Sequence, residues 1–138
     1  MRTMIVVGAV VLAALSASGC ASANESLPLS PSPPSGRQAV LAPIDHLDVR
    51  VLESSPPQYV LSVRAGLPSG CAEKNRYETA RVAETVNVTV LNWMPTGETA
   101  CTLIYGSYEL NINVGSDFRR GTSYSVIVND KRTTFVAQ

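Results

Sequence analysis

Phe118-Arg119-Arg120-Gly121-Thr122-Ser123-Tyr124-Ser125-Val126-Ile127-Val128 is the stretch on which the fold reading turns. Gly121 supplies a corner, and Tyr124 opens a run in which Val126 and Val128 share its side. A period of two places these three residues on one face of a strand. Tyrosine has an apolar body and a polar tip, so its ring can enter a core while its hydroxyl returns to a backbone group of the corner. Asn129-Asp130-Lys131 then makes a short turn. Arg132 to Ala137 returns as a final strand with Phe135 available to the same core.

This corner resembles the tyrosine corner of fibronectin type III and immunoglobulin-like domains, with Tyr124 as the structural tyrosine and Arg120 where those families often carry proline. The resemblance implies a two-sheet sandwich. Working back along the chain, strand punctuation continues and helical periodicity is scarce. Leu47, Val49 and Val51 share one face of Ile44–Glu53, and Tyr59, Leu61, Val63 and Ala65 one face of Gln58–Leu67. Val86, Val88 and Val90 alternate with Asn87 and Thr89 in Thr85–Trp93. Thr99–Gly106 and Tyr108–Val114 read as one long strand or two, with Gly106 a bulge or bend. Arg76–Glu84 reads as a strand, although its alanines and charges also suit a helical turn. The expected fold is all-β: a single immunoglobulin-like antiparallel β-sandwich of about seven strands over residues 42–138, with a closed barrel as the alternative closure.

At the other end, Met1 to Cys20 has a basic start at Arg2, an apolar run from Met4 to Leu15 and a small-residue exit, the pattern of a secretory signal. Twelve apolar residues are too few for a membrane span, which needs about 20. The exit Ser18-Gly19-Cys20 resembles the lipobox of bacterial lipoproteins, although Ala17 stands where that family usually has a larger aliphatic. The resemblance implies a signal peptide over 1–19, cleavage before Cys20, and a lipid-modified Cys20 holding the protein on the exported side of a bacterial envelope membrane. Residues 20–41, rich in Ser and Pro, read as a tether. Its twenty-one residues after the cysteine reach roughly 25 Å as a coil and about 65 Å if extended.

The chain carries three cysteines, an awkward number for an exported protein. If lipid occupies Cys20, as the resemblance implies, Cys71 and Cys101 remain as a candidate disulfide; they also suit two buried free thiols. Metal binding is the weaker reading, with one histidine and no paired Cys motif. No metal or cofactor is expected.

Charge and residue inventory narrow the function classes. Eleven basic residues balance eleven acidic ones. With only two lysines, no basic field exists to attract nucleic acid. His46 is the only histidine, at the start of a strand, and Asp45 and Asp48 differ in strand parity, so no acid–base pair is evident. No catalytic residues are assigned, and the expectation is a protein that is not an enzyme; a hydrolase using His46 is the minor alternative.

A noncatalytic binding or interaction module with an envelope protein or peptide partner is expected, its candidate binding loop being Trp93, Met94 and Pro95, since tryptophan buries large area at small entropic cost. Pro95-Thr96-Gly97 is similar to a loop of the chagasin-type cysteine-protease inhibitors, whose other two loop motifs are missing here. A peptidase inhibitor is therefore an alternative, as is a structural envelope protein. Gly66–Cys71, Ala100–Gly106 and Gly115–Phe118 are also similar to segments of small exported bacterial domains.

Overall fold

The computed structural model describes residues 34–138. The expected signal peptide, the expected lipid site at Cys20 and the expected tether up to residue 33 lie outside the described residues. Eight strands form two sheets: β1 (Arg37–Leu41), β2 (Ile44–Leu52), β3 (Gln58–Leu67), β4 (Glu73–Val82), β5 (Thr85–Pro95), β6 (Gly106–Gly115), β7 (Ser123–Val128) and β8 (Lys131–Val136). One sheet has the order β2-β3-β6; in the other, β4 and the β1/β7 pair flank β5, and β8 follows β7.

Alternation along the central strands builds the core. Leu61, Val63 and Ala65 of β3 and Leu110 and Ile112 of β6 face Val86, Val88 and Val90 of β5 and Val126 and Val128 of β7, all buried. Their outward neighbours Arg64, Glu109 and Asn111 are exposed. Two inner faces covering each other is the β-sandwich solution, and it excludes the closed barrel.

Four features differ from the sequence expectation. First, Arg37–Leu41, assigned above to the tether, is a strand pairing with Leu91–Pro95. Its alternating Ala39 and Leu41 are too short a run to stand out beside the prolines that precede them, and the free edge of β5 recruits them. Second, the sheet is not wholly antiparallel, because β5 and β7 run parallel, Thr85–Val88 beside Ser125–Val128. Third, residues 99–105 form a loop, and β6 begins at Gly106. Fourth, Met94 and Pro95 continue β5 instead of starting a loop.

The edge of β5 shared by β7 and β1 has a gap at Thr89–Val90. Asn129, in the β7–β8 turn with φ 50°, fills it. Its Oδ1 accepts from the Val90 N–H at 2.9 Å, and its Nδ2 donates to the carbonyls of Ala42 at 2.8 Å and Val90 at 2.9 Å. The side chain therefore replaces the backbone groups that neither strand supplies.

The opposite end of the sandwich is closed by the rings of Tyr59, Phe118, Tyr124 and Phe135, with centroids 4.8 to 5.5 Å apart. The Tyr124 hydroxyl accepts from the Arg119 N–H at 2.9 Å, closing the corner across Gly121 (φ 78°). Tyr59 does the same for the chain end, accepting from the Gln138 N–H at 2.7 Å. Strand β4 is exposed on both faces over most of its length, since a four-wide sheet overhangs a three-wide one. Arg81 reaches from it to lie 4.3 Å over the Phe118 ring and to donate to the Asp117 carboxylate at 2.9 Å.

Candidate functional site

The site is built on residues 96–105, between β5 and β6. Pro95 lacks an N–H and Gly97 adopts a left-handed φ of 94°, so the strand cannot continue past them. The loop then returns toward the β3–β4 connection. Cys101 is disulfide-bonded to Cys71, with Cα atoms 5.5 Å apart, and the Gly70 N–H donates to the Thr102 carbonyl at 2.9 Å. Three residues later, the Tyr105 hydroxyl donates to the Asp45 carboxylate at 2.7 Å.

At both landing places a loop side chain passes close over a glycine. A Cβ on Gly66 would lie 1.8 Å from the Tyr105 hydroxyl oxygen, and one on Gly70 would lie 2.0 Å from Thr102 Oγ1. The loop is thus fastened at Cys101–Thr102 and again at Tyr105. Leu103 and Ile104 fall between the fastenings with no slack to fold inward, and they are 96% and 70% exposed. Tyr105 is itself 53% exposed. The result is an apolar tip presented by a covalently braced loop.

Electrostatics at this end are balanced locally. Glu73 at the start of β4 pairs with Arg37 at the start of β1; hydrogen bonding from the guanidinium holds the Glu73 carboxyl below its usual range. Hydrogen bonding to Asp45 raises the Tyr105 phenol above its ordinary value, with loss of solvent a smaller contribution. Beneath the loop, buried Asn92 donates to the Gly66 carbonyl at 2.8 Å and accepts from the Tyr108 hydroxyl at 2.7 Å. Burial raises the Tyr108 phenol as well.

The structure brings Cys71 and Cys101 together and resolves the free-thiol alternative in favour of the disulfide. It places Trp93, Met94 and Pro95 in β5, half-buried, with Trp93 opposite Ala39 on one side and Glu73 on the other. These residues are strand, not a presented loop, because β1 supplies pairing that the tether reading denied them. Tyr124 occupies the corner described above. His46 sits beside Asp45, Lys131, Arg132 and Thr133 in a shallow depression between β2 and β8. Among the described residues no three or more His, Cys, Asp or Glu side chains gather as a metal site. Leu103, Ile104 and Tyr105 are the residues that sequence reasoning missed: branched and aromatic side chains in a row read as strand, and only their position beside Cys101 signalled otherwise.

Residues 61–137 match the family model described as the ORF11 beta-sandwich domain. No curated protein and no solved structure matches the chain. The match runs from within β3 to just past β8, taking in the disulfide, the braced loop and the tyrosine corner. Because it covers more than half of the 138 residues, the chain belongs to the ORF11 beta-sandwich domain family.

Proposed function

We propose that this protein is a lipid-anchored protein of a bacterial envelope whose sandwich acts as a noncatalytic interaction module, with Leu103, Ile104 and Tyr105 as its contact surface. The observation that carries the reading is their exposure on a loop braced at both ends. Large apolar side chains held in water by a disulfide and hydrogen bonds are prepared for coverage, since little further ordering is needed on contact. The anchor is supported by the lipobox-like end at Cys20. The noncatalytic reading is supported by the residue inventory, in which the lone histidine has Asp45 as a neighbour and that carboxylate is engaged by Tyr105. A peptidase inhibitor working through Trp93 to Gly97 gains nothing from this geometry, since the first three of those residues pair with β1 and Trp93 also pairs with β4.

Two measurements test the proposal. Labelled palmitate is expected to enter the wild-type chain and not Cys20→Ala; equal labelling would remove the anchor. A photoreactive side chain at position 103 on intact cells is expected to form adducts that the same side chain at position 84, in the β4–β5 turn, does not. Absence of adducts at position 103 would leave a structural envelope protein as the better reading.

A further inference from the structure

From the braced loop and the path of the incoming chain, we infer that Leu103, Ile104 and Tyr105 seat in the interfacial layer of the lipid bilayer. This deepens the proposed function and rests on its lipid anchor at Cys20. The described chain enters at the root of the same loop: the Thr96 N–H donates to the Gly36 carbonyl at 2.8 Å, and Arg37 pairs opposite Pro95. Because β1 takes up Arg37–Leu41, only residues 21–33 separate Cys20 from the described chain. As a coil, thirteen residues reach roughly 20 Å. The eleven residues of β5 extend about 36 Å, so the β4–β5 turn lies about one sandwich length further from the entry point.

An anchor at Cys20 therefore keeps the bilayer at a higher effective concentration for the loop than for the opposite end. The chemistry of the tip suits that surface. Leu103 and Ile104 are aliphatic, Tyr105 adds an aromatic ring with a polar tip, and Thr102–Tyr105 carries no formal charge. Asp45, which accepts from the Tyr105 hydroxyl at 2.7 Å, lies on the polar side of that ring, and Arg37 and Glu73 pair with each other. Exposed lysines or arginines selecting a headgroup are not part of the tip, so contact is with the apolar boundary.

The test uses the full acylated chain reconstituted in vesicles of phosphatidylglycerol and phosphatidylethanolamine, with a diazirine side chain at position 104 or 84. Lipid adducts are expected to be at least tenfold more abundant at position 104, and Leu103→Asp is expected to reduce them at least fivefold. Equal yields at the two positions would overturn the inference, as would no lipid adduct at position 104 in a chain that carries palmitate. In the latter case the anchor stands and only the seating fails. A chain that takes up no palmitate overturns both readings. On intact cells, adducts at position 104 formed mainly with a protein would overturn the lipid assignment in favour of a protein partner.

Discussion

Asn129→Gly isolates the side chain that joins β7, β5 and β1. Glycine keeps the left-handed backbone, φ 50°, so the substitution removes hydrogen bonds without adding strain. Three are lost, to the Val90 N–H and to the carbonyls of Ala42 and Val90. The Val90 carbonyl still accepts from the Ala42 N–H at 2.9 Å, so the groups left without their partner are the Val90 N–H and the Ala42 carbonyl. At about 1 kcal/mol net for each bond, and somewhat more for an orphaned buried group, the expected loss is about 2 to 4 kcal/mol. That is a large share of the roughly 5 to 15 kcal/mol typical of a domain. Asn129→Ala should lose about 1 kcal/mol more, because alanine disfavours the left-handed region. Guanidinium denaturation followed by Trp93 fluorescence, with the disulfide intact, measures both variants. A loss below about 0.5 kcal/mol for Asn129→Gly would refute the view that this amide stitches the sheet.

Three further outcomes are expected. Replacing both cysteines, Cys71→Ser with Cys101→Ser, should destabilise the domain by about 3 to 4 kcal/mol, from the entropy of a loop closed over thirty positions; the midpoint shift in denaturant against the oxidised wild type reads it. Tyr124→Phe should cost about 1 to 2 kcal/mol in thermal or chemical unfolding, since it leaves the Arg119 N–H without its acceptor while keeping the ring packed. Tyr105 has a raised pKa, so its hydrogen bond to Asp45 is fully present below the ordinary tyrosine range near 10 and is lost as pH rises through the folded value. Asp45→Asn should make Tyr105 ionise at lower pH, read as phenolate absorbance with Tyr105→Phe as the reference; an unchanged titration would show that Asp45 is not the cause.

The sequence was informative where one residue type at one spacing has a single physical use. Alternation in β3, β5 and β7 specified which side chains face inward, because successive strand residues point to opposite faces whatever the strand pairs with. Gly121 and Tyr124 specified the corner, because a buried phenol needs a polar partner close by in the chain. The hidden parts depend on groups distant in sequence. Arg37–Leu41 is a strand because β5 has an edge to offer it, and no local pattern encodes that edge. The same pairing withdraws Trp93, Met94 and Pro95 from presentation. Leu103, Ile104 and Tyr105 have strong strand propensity, yet the disulfide and the contact of Tyr105 with Gly66 and Asp45 hold them out as a loop.

The sequence by itself thus determined an all-β domain, its inward faces, its corner and a pair of cysteines available to each other. Tertiary structure alone decided the parallel pairing of β5 with β7, the role of Asn129 and the exposed apolar tip. Periodicity reports on which face a side chain occupies, whereas strand partners and braced loops arise from free energies shared between residues thirty or more positions apart.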